Sequence, residues 1–251
     1  MFKLFRFPGL LFLALLLCLF GVAADAQDQG GLRSPSAACL EFKSGLSLGT
    51  RLGFTGAKLR AGETLTIVAL GSSSTVGFGG HGTSFPDVMK QELLRLHPSA
   101  HIELINSGRI MENLADNIAR IEDDVLRYKP DLLVWQIGTN DVVWRGIADN
   151  AKEMLSDSVK RIRAFKTDIV LIDLQYTPLV LITSRHIRME KIIAEVAGEQ
   201  NVGHFPRFLL MKRAIEADVT GLNSWDGLHN SAEGYKCVGL ALAQMIDAAA
   251  R

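Results

Sequence analysis

From Thr64 onward, short apolar runs rich in β-branched residues alternate with longer amphipathic segments, and this alternation leaves very few architectures open. Residues 65–70 precede a helical pattern at 85–96, 102–106 precede 114–127, and 132–137 precede 148–165. The series continues with 169–174, 187–197, 202–205 and 207–217, and closes with a helix from Ala232 to Ala249. Strand and helix repeated about five times predict an α/β domain. Leu132-Leu133-Val134-Trp135 is apolar on both faces, which predicts a parallel sheet covered by helices on each side. In such open sheets ligands sit at the C-terminal ends of the strands, so chemistry is to be sought just after each apolar run.

The N-terminal region reads differently. Lys3 and Arg6 precede an apolar stretch from Leu10 to Ala23, followed by Ala24-Asp25-Ala26, the layout of a cleavable secretory signal peptide over residues 1–26. The apolar run is short for a bilayer span, and three leucines before Cys18 argue against lipidation. A periplasmic or secreted protein without a stable membrane span is expected. Residues 27–62, rich in Gly, Ser and Arg and with little periodicity, read as an extension packed over a single domain at 63–251.

Cleavage leaves Cys39 and Cys237 as the cysteines of the mature chain, and an oxidising compartment favours a bridge between them over two free thiols. It also leaves basic and acidic residues nearly balanced, so no long-range field draws the protein to nucleic acid.

Four motifs stand where ligands are expected. The first strand runs into Gly71-Ser72-Ser73-Ser74-Thr75, a turn where a serine gains nearby backbone N–H groups and needs an external base. Three serines before a helix are also the composition of a capping turn. The G-x-S-x-G elbow and the Walker loop both fail, because Thr75 replaces the Gly of the first and the Gly-Lys pair of the second is missing. The second strand ends in Asn106-Ser107-Gly108 and the third in Gly138-Thr139-Asn140-Asp141. An Asn at a strand end can be a plain turn former. Beside a nucleophile turn, the amides of Ser73 and Gly108 and the side chain of Asn140 are candidate donors to an oxyanion. Before the closing helix lies Trp225-Asp226-Gly227-Leu228-His229, where a carboxylate three residues from an imidazole can fix its tautomer. The other five histidines are scattered without metal-ligand spacing, so no metal or cofactor is expected.

In this order the serine turn, Asn-x-Gly, Gly-Thr-Asn-Asp and Asp-x-x-His resemble the blocks of the SGNH (GDSL-like) hydrolase superfamily, from about Thr64 to the C-terminus. The resemblance implies a three-layer α/β/α sandwich with a mainly parallel five-stranded sheet. It also implies Ser73 as nucleophile, His229 and Asp226 as base and orienter, and Ser73 N–H, Gly108 N–H and Asn140 as the oxyanion hole. Two departures stand out: the usual Asp before the nucleophile is Ser72, and residues 109–113 lack the second Gly of the Asn-x-Gly block. The resulting expectation is an exported serine esterase acting through an acyl-enzyme on a small-molecule or glycan ester. A periplasmic polysaccharide O-acyltransferase and a non-catalytic glycan-binding domain remain open beside it. Phe78, Trp135, Trp144, Tyr176 and Trp225 are candidate pocket residues, and 176–188 is the expected specificity loop.

Overall fold

The structure, a computed structural model, describes residues 33–251; the signal peptide expected over residues 1–26 lies outside the described residues. Five parallel strands form one sheet in the order β2-β1-β3-β4-β5, namely β1 (Thr64–Gly71), β2 (His101–Gly108), β3 (Leu132–Gln136), β4 (Asp168–Ile172) and β5 (Gly203–Phe205). The order reverses beside β1, whose neighbours are β2 and β3, so their C-terminal ends border the crevice where such sheets bind ligands.

Alternate residues of each strand enter two separate cores. Leu65 and Ile67, Leu132 and Val134, and Val170 and Ile172 face one layer, packed on α4 (Phe85–Leu96), α10 (Arg207–Glu216) and α11 (Ala232–Ala250). Val68 and Leu70, Leu133 and Trp135, and Ile169 and Leu171 face the other, packed on α7 (Ala151–Arg163) and α9 (Arg185–Gln200). This three-layer α/β/α arrangement is the expected fold, and burial on both faces is why the strands carry unbroken apolar runs. None of the described helices is long and apolar enough to cross a membrane.

Two segments depart from the sequence reading. Residues 35–61 are largely helical, with α1 (Pro35–Leu40) and α2 (Gly53–Ala61) both lying against α11. Their order depends on contacts far along the chain. The Ser36 N–H and hydroxyl donate to Glu233 Oε2 at 3.1 and 2.7 Å, and Cys39 is joined to Cys237 with 5.9 Å between their Cα atoms.

The segment 114–127, expected as one helix, is instead α5 (Leu114–Ala119), α6 (Ile121–Asp124) and a 3₁₀ turn (Leu126–Tyr128). Arg120, at φ −115° and ψ 14°, breaks it. Its buried guanidinium donates to the carbonyls of Gly71 (3.1 Å) and Ser107 (2.8 Å), and to Glu112 and Asp124 (2.6 Å each). These charge-assisted bonds hold the ends of β1 and β2 together and outweigh the fraction of a kcal/mol per residue that helix continuity offers.

Candidate active site

The serine turn is shaped by close approach. An added Cβ at Gly71 would lie 2.3 Å from Thr75 Oγ1 and 2.9 Å from Gln136 Oε1, so the chain can double back only without a side chain there. The turn runs into the single-turn helix α3 (Ser73–Val76), with Ser72 at the N-cap position. Ser72 makes no side-chain cap bond; its N–H and hydroxyl both donate to Gln136 Oε1 at 3.0 Å. Ser73 is the first residue of the helix, where its N–H has no intrahelical acceptor.

The Ser73 hydroxyl lies 2.8 Å from His229 Nε2, although 156 residues separate them. The opposite ring nitrogen, Nδ1, is 2.6 Å from Asp226 Oδ2, while Asp226 Oδ1 accepts the N–H groups of Leu228 and His229, each at 2.9 Å. Burial works to raise the Asp226 carboxyl, but the His229 and Leu228 amides and the His229 ring hold it below the ordinary carboxylate range. An ionised Asp226 requires the proton on Nδ1 and leaves the Nε2 lone pair facing Ser73. The ring is further fixed by Phe78, whose centroid lies 4.7 Å away.

Two of the three expected oxyanion donors already have partners. Gly108 pairs with Gly71 at the end of β1, but its N–H donates to Asn106 Oδ1 at 3.0 Å, and Asn106 Nδ2 donates to the Thr75 carbonyl at 2.8 Å. The turn-forming role of Asn106 thus engages the amide that Gly108 was expected to offer. Gly108 also serves close packing, since a Cβ there would come within 2.7 Å of Val76 N. Asn140 Nδ2 donates to the Glu112 carbonyl at 2.7 Å, which uses one of its two N–H bonds. Next to Glu112, Met111 sits at φ 68°, a left-handed conformation uncommon for a residue with a side chain, in the stretch lacking a second Gly.

The aromatic residues divide. Trp135 is fully buried and donates to Asn117 Oδ1 at 3.1 Å, so it belongs to the core, and Tyr176 packs edge-on against Phe208. Phe78, Trp144 and Trp225 are exposed, Trp225 at 91%. The expected specificity loop contains the short helix α8 (Pro178–Leu181), and the Leu179 N–H donates to the Gly227 carbonyl at 3.0 Å, which places it against the Asp226 loop. A cavity of about 580 Å³ lined by Lys43, Leu46, Arg51 and Met245 takes in none of Ser73, Asp226 and His229.

Sequence reasoning passed over Arg120, Gln136, Gln175 and Arg207, single polar residues whose buried side chains converge on the strand ends. A Gln closing an otherwise apolar strand was the one signal that could have pointed to them.

Residues 38–251 match the model of the non-GDSL lipase-like family. The chain belongs to that family. It is an ester hydrolase of the SGNH-like superfamily, as the motif resemblance implied. An acetylxylan esterase of Geobacillus stearothermophilus is 23% identical over 187 residues, covering 67% of this chain and 83% of the relative. The solved structure of an acetylxylan esterase from the same organism is similar, with a TM-score of 0.62 at 22% identity over 72% of this chain and 94% of that one. A lipase/acylhydrolase from Enterococcus faecalis gives 0.61 at 24% identity, covering 73% and 96%. LAE5, an alpha/beta hydrolase from the metagenome of Lake Arreo, gives 0.64 at 21%, covering 73% and 95%.

Proposed function

We propose that the protein is an exported serine esterase that removes acetyl or other short acyl groups from carbohydrate hydroxyls through an acyl-enzyme on Ser73. The observation that carries this reading is the run Ser73 Oγ, His229 Nε2, His229 Nδ1, Asp226 Oδ2, with contacts of 2.8 and 2.6 Å. Ser73 Oγ attacks the ester carbonyl as its proton passes to Nε2, and Asp226 stabilises the resulting imidazolium. The tetrahedral oxyanion is met by the Ser73 N–H and the second Nδ2 proton of Asn140. Collapse breaks the C–O bond to the sugar, whose oxygen takes the proton from Nε2. Water then attacks the acyl-serine with the same imidazole as base, releasing the acid and restoring the serine.

A carbohydrate leaving group is supported by the acetylxylan esterase relative and by exposed aromatic faces at Phe78, which touches the His229 ring, and at Trp225, beside Asp226. Export is supported by the signal-like residues 1–26 and by the Cys39–Cys237 bridge.

The test compares wild-type protein with Ser73→Ala on p-nitrophenyl acetate and on acetylated xylo-oligosaccharide, with fluorophosphonate labelling as a second readout. Wild type is expected to turn over both and to label, while Ser73→Ala does neither and keeps its thermal stability. Turnover by Ser73→Ala at the wild-type rate would remove Ser73 from the mechanism.

A further inference from the structure

A continuous hydrogen-bonded chain runs under the site from the serine turn to the histidine loop. Gln136, the last residue of β3, accepts on Oε1 from the N–H and hydroxyl of Ser72 at 3.0 Å each and from Thr75 Oγ1 at 3.3 Å. Its Nε2 donates to Thr139 Oγ1 at 3.4 Å, and the Thr139 hydroxyl donates to Gln175 Oε1 at 2.8 Å. Gln175 Nε2 donates to the carbonyl of Leu228, next to His229, at 2.9 Å. Arg207 Nη2 donates to the same Gln175 Oε1 at 2.8 Å, and its Nε and Nη2 also reach the Asp173 carbonyl at 3.0 and 2.5 Å.

The direction of every bond is dictated by partners that cannot change role. The Ser72 N–H can only donate, so Gln136 must present its oxygen there and its NH₂ to Thr139. Arg207 can only donate, which fixes Gln175 Oε1 as acceptor, and the Leu228 carbonyl can only accept, which fixes Gln175 Nε2 as donor. The Thr139 hydroxyl is left one arrangement, receiving from Gln136 and giving to Gln175. All bonds therefore point the same way, and each polarises the next.

Gln136, Thr139, Gln175 and Arg207 are all 3% exposed or less. Apolar side chains of similar volume would fill this space without the desolvation that buried polar groups cost. Strong orientation is what the polar set adds.

We propose that Gln136, Thr139 and Gln175 are positioning residues that hold the His229 loop in register with the Ser73 turn. The catalytic half of this statement rests on the function proposed above. The Asp226–His229 loop has short-range ties, Gly227 N to Ser224 O at 3.2 Å and Ser224 N to His229 O at 2.9 Å, and a tie to α8. The Gln175 bond connects it inward to the ends of β3 and β4. A shift of about 1 Å between nucleophile and base can cost on the order of a hundredfold in rate.

The experiment uses Thr139→Val, which keeps shape and removes the hydroxyl, against Thr139→Ser, which keeps the hydroxyl. Thr139→Val is expected to lower kcat on p-nitrophenyl acetate about tenfold or more with KM nearly unchanged, and Thr139→Ser to restore it to within about threefold of wild type. A Thr139→Val enzyme within twofold of wild-type kcat, or a Thr139→Ser enzyme as impaired as Thr139→Val, would overturn the proposal. Should Thr139→Val fail to fold, Gln175→Met replaces it, with the same expected loss of kcat and the same refuting outcome. The proton on His229 Nδ1 supplies a readout independent of turnover. Its downfield NMR resonance is expected in wild type and Thr139→Ser and broadened away in Thr139→Val, and its persistence in Thr139→Val would refute the positioning role. A wild-type protein inert on every ester but showing this NMR pattern would instead retain the chain and remove the enzymatic reading.

Discussion

Replacing Asp226 with Asn separates charge from shape. Asp226 Oδ1 accepts two backbone N–H bonds of 2.9 Å, and Oδ2 faces the imidazole Nδ1 at 2.6 Å. An Asn side chain can present its oxygen to only one of these groups. Turning the NH₂ toward the backbone would set donors against two N–H groups and forfeit two bonds, about 1 kcal/mol each plus their desolvation cost. Keeping the oxygen on the backbone places the NH₂ against Nδ1, and the imidazole can adapt by moving its proton to Nε2. The second arrangement is favoured, so Asp226→Asn should fold like wild type while His229 presents a proton, not a lone pair, to Ser73. A wrong tautomer in a Ser-His-Asp triad costs about 10⁴ in rate, or between 5 and 6 kcal/mol of barrier. Steady-state kinetics on p-nitrophenyl acetate, with thermal unfolding as a control, checks this. A folded Asp226→Asn enzyme within tenfold of wild type would refute the tautomer reasoning.

Two further outcomes follow from other parts of the molecule. The bridge between Cys39 and Cys237 closes a loop of 198 residues, for which chain entropy gives about 5 kcal/mol. Cys39→Ala with Cys237→Ala should lower Tm by about 10 to 20 °C with kcat at 25 °C nearly unchanged, and a drop under about 2 °C would show that the bridge does not restrain the unfolded chain. Asp141 is pushed up to about 6 by burial, against the opposing N–H of Leu114, so its ordinary value of 3.8 applies only to the unfolded chain. A raised folded value gives a contribution that is complete below pH 3.8 and lost as pH rises through 6, about 3 kcal/mol in all. Asp141→Asn does not titrate, so its stability relative to wild type should improve by about that amount between pH 4 and pH 7 in urea unfolding. Parallel pH profiles for the two proteins would contradict this.

Much of this fold could be read from local pattern because its strands are buried on both faces. The runs at 65–70 and 132–137 needed no partner to be recognised, and the serine turn and Asp226–His229 announced themselves by residue type. What escaped was set by distant contacts. The break at Arg120 follows from carbonyls of Gly71 and Ser107 on other strands, and α1 and α2 owe their order to α11. The contact at Gly108 is local instead: Asn106, whose turn-forming chemistry was visible in the sequence, is only two residues from the amide it engages. Gln136 and Gln175 carry no local signal beyond polarity at a strand end, since their meaning lies in a chain of bonds spanning three loops.

The separation of 156 positions from Ser73 to His229 also orders events in time. A ribosome makes Ser73, the proposed nucleophile, long before His229, its proposed base, and the α11 cysteine that anchors α1 follows eight residues after the histidine. A chain interrupted between Ser73 and His229 therefore carries the proposed nucleophile without its base and a cysteine without its mate. On the proposed mechanism, competence to cut esters and covalent closure of the fold arrive within eight residues of each other, so a copy that stops short of them is chemically silent.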